Sequence, residues 1–224
     1  MSKFIDSSSP WFENLDYDWS ILLNQAIIKY ENQPANTPIY HQGDQAENIF
    51  IVLYGRIRLF MLTPDGKEKA ISIAGKNCLL GVNRQPEDNT YFENAISASE
   101  AKVASLPYQQ FENLIYQNPT LVKQYVHLLQ EKLRLATTYN LQLSYGSSVK
   151  RIYDAFYHLA KTYGVQNTGG TVIQITFTHQ ELANLIGTSR VTVANTVNDM
   201  LKNNLLKKTK GKYLVPDLNR LITG

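Results

Sequence analysis

Residues 178–217 read THQELANLIGTSRVTVANTVNDMLKNNLLKKTKGKYLVPD, and the punctuation of this stretch decides how the C-terminal third folds. Thr178 followed three residues later by Glu181 is a capping box. The Thr hydroxyl accepts from the amide of the third helical residue, and the Glu carboxylate reaches back to the amide of the cap. A short helix is therefore predicted from His179 to Leu185 or Ile186. Gly187 suits the left-handed residue that ends a helix. Thr188 or Ser189 then caps a second helix running to about Asn203 or Asn204. Two helices joined by so tight a turn, with LLKKTKGKYLV behind them, predict a winged helix-turn-helix whose wing turns near Lys210-Gly211.

The second helix has two faces. Val193, Val197 and Leu201, joined by Met200, fall inward on the helical repeat, while Arg190, Val191, Thr192, Asn195, Thr196, Asn198 and Asp199 fall outward. Short polar side chains on that outer face let a helix approach base edges closely. Arg190, near the helix start, is placed to donate two hydrogen bonds to guanine O6 and N7. Asn195 suits adenine or a phosphate, and Val191 suits a thymine methyl. Thr188 and Ser189 at the helix start and Lys208 and Lys210 in the wing complete the candidate DNA contacts. Charge agrees with this reading. Residues 147–224 carry ten Lys and Arg against four Asp and Glu, whereas residues 1–146 carry twelve against fifteen. A basic module is attached to a mildly acidic remainder.

Upstream, SYGSS (144–148) is a small-residue hinge, followed by a helix with Ile152, Phe156, Leu159 and Tyr163 on one face. Gly169-Gly170 then turns the chain into a strand, TVIQITF. Residues 120–143 predict one long helix. Val122, Val126, Leu129, Leu133, Ala136, Asn140 and Leu143 recur at spacings of four and three, close to a coiled-coil seam. Val126, Leu129, Leu133, Ala136, Asn140 and Leu143 are the candidate dimer interface. A second apolar flank, Tyr125, Leu128, Leu135 and Tyr139, can serve the chain's own core.

Residues 37–106 read as β structure. TPIYHQGD and NIFIVLYGRIRLFMLT are apolar and β-branched between turn residues. IRLFMLTPDGKEKAISIAG predicts a hairpin around Pro64-Asp65-Gly66-Lys67, and ENAISASEAKVASLP predicts two more short strands. YQQFENLIYQNP is a short helix stopped before Pro119. The predicted fold class is α+β: a β jelly-roll barrel over 1–119, a long dimerisation helix and hinge over 120–146, and a winged helix-turn-helix over 147–224.

Two segments carry a family resemblance. IYHQGDQAENIFIVLYGRIRLF (39–60) resembles the opening of a cyclic-nucleotide-binding-type barrel, including the QGD turn and the V-x-x-G-x-I that follows. HQELANLIGTSRVTVANTVNDMLKNNLL (179–206) resembles the matching helix-turn-helix. Together they are similar to the cyclic AMP receptor protein / fumarate–nitrate regulator (Crp/Fnr) family of bacterial transcription regulators. The resemblance implies a homodimer on pseudo-palindromic promoter DNA, an effector in the barrel that reorients the DNA-binding domains through the long helix, and contact with RNA polymerase.

The departures from the family pattern narrow the effector. Cyclic-AMP-binding members hold the ribose with a Gly-Glu pair and the phosphate with an Arg-Ser pair. Here Val82 and Asn83 follow Gly81, and Thr90-Tyr91 stands where Arg-Ser would lie. A phosphate without an Arg or helix-terminus donors is poorly held, so the subgroup that does not bind cyclic AMP is expected. An iron–sulfur cluster needs about four thiolates, and the chain has one cysteine, Cys78, read as a small buried residue. Another small molecule remains; the stretch from Gly75 through Tyr91 resembles family members that sense organic acids or aromatic compounds and also lack the nucleotide pair, which implies an effector of that kind. Its expected contacts are Gly81, Val82, Asn83 and Tyr91 from the barrel, with Thr137, Thr138 and Tyr139 from the long helix, in a pocket between the two. On the recognition helix, Val191 replaces the Glu and Asn195 the second Arg of many relatives, which predicts a half-site other than the common TGTGA type.

An enzyme is not expected, and neither is a metal or a cofactor. The four histidines, His41, His127, His158 and His179, lie on different elements without metal-ligand spacing, and no phosphate loop or nucleophile elbow is present. A regulatory module that docks on protein is the alternative; the SRVTVAN face and basic wing favour DNA. The opening MSKFIDSSSPWFENLD has no apolar stretch behind a basic start, so a cytoplasmic location is expected.

Overall fold

Alternating apolar residues build the first half of the chain into two sheets. The computed structural model describes residues 9–13 and 15–222; residues 1–8 of the predicted barrel domain lie outside the described residues. The strands are β1 (Trp11–Phe12), β2 (Lys29–Gln33), β3 (Pro38–Tyr40), β4 (Asn48–Tyr54), β5 (Ile57–Leu62), β6 (Glu68–Ala74), β7 (Leu79–Leu80), β8 (Asn94–Ser97) and β9 (Ala101–Pro107). One sheet has the order β1-β6-β5-β8-β3 and the other β2-β9-β4-β7, the arrangement of a jelly roll. The predicted hairpin forms, with Leu62 opposite Glu68 at its closed end. Strand β4 pairs with β9, Ile51 facing Ala104 and Val52 facing Val103, and these four side chains are buried. Helix α2 (Tyr108–Gln117) packs on β4 and β9 and buries Phe111 and Ile115.

Three elements of this half have no sequence signal above. Strand β1 pairs in parallel with β6, Trp11 opposite Ile73. Helix α1 (Ser20–Gln25) and strand β2 also precede the predicted β region. Trp11, Phe12, Trp19 and Leu22 are all buried, but they follow no single repeat. The Trp19 indole donates to the Asn77 carbonyl at 2.8 Å, a tie of the N-terminal segment to the barrel that only the folded chain reveals.

The long helix, α3, runs from Pro119 to Tyr145. The chain divides into two compact units inside this helix, between Lys132 and Leu133, rather than at residue 146. Packing explains the division. In the first half of α3, Leu121 and Leu128 are buried, Gln124 exchanges hydrogen bonds with the backbone of Asp18 (2.6 and 3.0 Å), and His127 Nδ1 meets the Tyr17 hydroxyl at 2.8 Å. In the second half, the Tyr139 hydroxyl donates to the Leu185 carbonyl at 3.1 Å. Every residue of the predicted dimer seam from Val126 to Leu143 is exposed: Val126, Leu129, Leu133, Ala136, Asn140 and Leu143.

The C-terminal unit continues with α4 (Ser148–Tyr163), β10 (Gly164–Asn167), β11 (Gly170–Ile173), α5 (His179–Ile186), α6 (Arg190–Lys202), β12 (Lys207–Thr209), β13 (Lys212–Val215) and α7 (Asn219–Ile222). Its sheet has the order β10-β11-β13-β12. The predicted strand TVIQITF is cut short at Ile173, because Phe177 leaves the sheet to stack on Tyr213 and to meet Phe156 edge-on. Strand β10 was not predicted, since GVQN is polar and largely exposed. Ile152, Phe156 and Leu159 of α4 meet Leu182, Ala183 and Ile186 of α5 and Val193, Val197 and Met200 of α6 in one core.

Among the described residues two charged side chains lie within this unit's interior, Asp154, which pairs with Lys150 at 3.3 Å, and Arg151. Arg151 is 8% exposed. Its Nε donates to Ile186 O (3.0 Å), Nη1 to Gln142 O (3.3 Å) and Gly146 O (2.8 Å), and Nη2 to Ser148 Oγ (3.3 Å) and Gly187 O (3.1 Å). Replacing Arg151 with Met strands these carbonyls and is expected to cost about 3 kcal/mol in urea unfolding followed by circular dichroism. Arg151→Lys should recover only part of that, because an ammonium lacks the planar fork. A Met variant as stable as the parent would show that the guanidinium does not hold this region together.

Candidate nucleic-acid interface and the barrel interior

The helix-turn-helix forms as its caps dictate. Glu181 N donates to Thr178 Oγ1 (3.1 Å) and Thr178 N to Glu181 Oε2 (2.6 Å), which completes the capping box. Gly187 adopts φ +66° and ψ +54°, and Thr188 N bonds back to Ala183 O at 3.1 Å, closing α5. Ser189 then caps α6, accepting from Thr192 N at 3.0 Å, while the two hydroxyls bond each other at 2.8 Å. Ser189 and Thr192 thus set the start of the helix and keep Arg190 and Val191 on its outer side.

Arg190, Val191 and Asn195 are exposed, and Thr188 and Thr192 are half-buried. Val191, at 67% exposure, is an unusual residue to leave in water on a packed helix. Thr196 departs from the sequence reading: it is buried, not outward. Val193, Thr196, Val197 and Met200 follow the i, i+3, i+4, i+7 row, so Thr196 belongs to the inner face.

The wing forms where predicted. Strand β12 pairs with β13, Lys208 opposite Tyr213 and Thr209 opposite Lys212, with Lys210 and Gly211 at the turn. Lys207, Lys208 and Lys210 are exposed, whereas Lys212 is tied to Gln174 Oε1 at 2.7 Å. Among the described residues no carboxylate pairs with Arg190, Lys207, Lys208 or Lys210. His179, read from sequence only as a first-turn residue, belongs to this basic cluster. Its Nε2 meets the Tyr213 hydroxyl at 3.2 Å. Burial and the positive charges of Lys208 and Arg190 hold its pKa below the ordinary histidine value. The signal for it was available only as proximity between residues over thirty positions apart in the chain.

The barrel residues predicted to touch an effector form part of its wall. Gly81 N donates to the Tyr40 hydroxyl at 3.1 Å. The Tyr91 ring stacks on Tyr40 with centroids 4.0 Å apart and planes at 20°, and its hydroxyl donates to Asn48 O at 2.8 Å. A Cβ on Gly81 would come within 2.9 Å of Tyr91 Cε1, so glycine is needed for this approach. Tyr91 therefore already has Tyr40 as its stacking partner and is 4% exposed. Val82 is buried, and Asn83 is exposed. On α3, Thr137 is exposed and Thr138 buried, and the Tyr139 hydroxyl is engaged by Leu185 O. Arg84 lies over the Tyr108 ring at 3.5 Å and faces Glu112 at 3.7 Å. Cys78 is fully buried, and burial pushes its thiol up to about 11, so it is protonated at neutral pH.

Sequence reasoning missed Glu93. It is 4% exposed, and its Oε1 has no hydrogen-bond partner among the described residues. Burial raises its pKa; Lys132 and hydrogen bonds from Asn83 and Tyr40 oppose that rise. The signal was the alternation in FENAIS, where Glu93, Ala95 and Ser97 share a strand face.

Residues 30–118 match the family of cyclic nucleotide-binding domains, and residues 150–223 match the Crp-like helix-turn-helix domain. The chain is similar to a CRP-like cAMP-activated global transcriptional regulator of Mycobacterium tuberculosis, 22% identical over 88% of this chain and 89% of the relative. It is also similar to the global nitrogen regulator of Synechocystis, 25% identical over 79% and 80%. Among solved structures, a CooA mutant from Carboxydothermus hydrogenoformans shares the fold, with a TM-score of 0.77, 19% identity, and coverage of 93% of this chain and 96% of that one.

Two titrations test the electrostatics. Glu93, with its pKa raised on folding, contributes stability that is present below its unfolded value and lost as pH rises through its folded value. The stability difference between the parent and Glu93→Gln should therefore shift against the parent as pH rises above about 4.5, measured by urea unfolding. A difference independent of pH would mean that the carboxyl is ordinary. For His179, a midpoint below 6.5 in NMR titration of the free protein, moving upward when DNA phosphates are added, is the expected result. No movement would place the histidine away from the DNA.

Proposed function

We propose that this chain, which belongs to the Crp/Fnr family of transcription regulators, is a homodimer that binds promoter DNA through α6 and the β12–β13 wing under the control of a small-molecule effector in the barrel. The observation that carries the DNA-binding mode is the outer face of α6, where Arg190, Val191 and Asn195 are exposed, together with wing lysines that have no acidic partner among the described residues. Arg190 reads guanine, Val191 contacts a thymine methyl, Asn195 reads adenine or a phosphate, and Lys208 and Lys210 hold phosphates. Thr188, Ser189 and Thr192 sit at the helix start, where a phosphate is well received. RNA polymerase is the second macromolecular partner in this reading.

The exposed seam of α3 supports the dimer. Leu133 is 67% exposed and Val126, Leu129 and Leu143 between 38% and 46%. A row of apolar side chains in water at coiled-coil spacing is buried when a second copy supplies the facing row. The effector in this reading is not cyclic AMP. Where a phosphate would need donors, Thr90 is buried and its hydroxyl donates to Asp88 at 2.9 Å, which puts an acid beside the site. Gly81, Val82 and Asn83 are the barrel residues proposed to meet the effector.

Gel shifts on DNA upstream of the chain's own gene test this. Arg190→Ala should weaken specific binding by about 1–3 kcal/mol, roughly ten- to a hundredfold, and relax the sequence preference while leaving the dimer intact. Lys208→Ala and Lys210→Ala should weaken binding evenly across sequences and each lower the salt slope by about 1. Unchanged specific affinity in the Arg190 variant would remove α6 from the major groove. Leu129→Asp with Leu133→Asp should elute as a monomer on a sizing column; a surviving dimer would place the interface elsewhere.

A further inference from the structure

Among the described residues the barrel buries one carboxyl, Glu93, and α3 brings a half-buried lysine, Lys132, against the β7 strand next to it. Glu93 lies on β8's leading edge, buried, with Oε1 unpartnered among the described residues. Its carboxylate is approached by Asn83 and by the hydroxyl of Tyr40, which itself accepts from Gly81 N at 3.1 Å. Lys132, in the first half of α3, turns its ammonium to the Leu79 carbonyl at 3.4 Å. Leu79 is two residues from Gly81, whose amide binds Tyr40, and Tyr40 pairs with Ala95, two residues from Glu93, so backbone and sheet bring the ammonium to the same end of the barrel as the carboxyl. The positive charge of Lys132 favours the charged form of Glu93, and among the described residues no ion pair joins the two. A buried carboxylate with an unmet oxygen is unfavourable in an empty protein. A buried charge left unpaired beside an available countercharge is the pattern of a site in which a third group completes both.

We propose that Glu93 and Lys132 are the two poles of a site for a small zwitterion of the amino-acid class, its ammonium on Glu93 Oε1 and its carboxylate on Lys132. The proposal rests on the reading above that the barrel holds the effector, and it names that effector's chemistry. A simple anion, phosphate included, satisfies Lys132 but is repelled by Glu93. A simple amine satisfies Glu93 but adds a second cation beside Lys132. A zwitterion neutralises both poles, and Asn83, at the mouth of the loop, adds an adaptable hydrogen bond.

The test is a thermal-shift screen of the full-length protein with the twenty amino acids, followed by the amine and the acid that share the carbon skeleton of any hit, with cyclic AMP and inorganic phosphate alongside. The expected result is a melting temperature that rises with the concentration of at least one amino acid. Its amine and acid counterparts should bind at least tenfold more weakly. Glu93→Gln and, independently, Lys132→Met should each weaken the amino acid at least tenfold, and either variant suffices if the other does not fold. If an anion such as cyclic AMP or phosphate binds instead, and Glu93→Gln leaves that binding unchanged or tighter, the barrel keeps its effector and the zwitterion assignment fails. If an amino acid binds with equal strength to both variants, the two poles are misassigned. If nothing in the screen shifts the melting temperature, the assignment fails together with the effector reading.

Discussion

The guanidinium of Arg151 is the constraint on which the C-terminal unit depends. It gathers carbonyls from two helix ends: Gln142 and Gly146 at the end of α3, and Ile186 and Gly187 at the end of α5. Helix C-termini leave carbonyls without intrahelical donors and carry partial negative charge. One planar cation answers both ends at once, and a lysine or water cannot reproduce its geometry. The Tyr139 hydroxyl on Leu185 O adds a second tie between the same two elements. The SYGSS hinge is therefore a bonded junction: Gly146 gives its carbonyl to Arg151, Ser148 accepts from Arg151, and Ser147 caps α4. The last turns of α3 and the turn that positions α6 are thus bonded to one and the same side chain.

The two functional regions handle charge in opposite ways. At the start of α6 and on the wing, Arg190, Lys207, Lys208 and Lys210 stand exposed without acidic partners among the described residues, where water solvates them. In the barrel, Glu93 has been taken out of water, and among the described residues its Oε1 has no hydrogen-bond partner, which costs stability. Burial, joined by the positive charges of Lys208 and Arg190, depresses the pKa of His179, a residue that contributes nothing to the formal charge count at neutral pH.

Much of the candidate DNA interface was legible in the chain, because it is built from local rules. The capping box at Thr178, the left-handed Gly187, the Ser189 cap and the wing turn each involve residues within a few positions of one another. The exposed apolar row of α3 was legible for the same reason: helical spacing alone assigns Val126 to Leu143 to one face. Thr196 was misplaced because a helical row wide enough to fill this core takes in one more position than the valines suggest. Strand β11 was drawn too long because strand propensity in TVIQITF gives no account of the aromatic cluster that draws Phe177 away.

The sequence by itself determined the two helices of the helix-turn-helix and the wing, their caps and turns, the faces of α6 apart from Thr196, and the basic character of the last third. Each of these follows from steric and hydrogen-bonding preferences that act over one or two turns of chain. Only the tertiary structure decided that Arg151 meets Ile186, that Tyr40 stacks on Tyr91, and that Glu93 lies buried in the field of Lys132. Those meetings join residues tens of positions apart, brought together by sheet order and helix packing. Their chemistry depends on burial: the same carboxylate or guanidinium on a surface loop would be solvated, unshifted and without consequence.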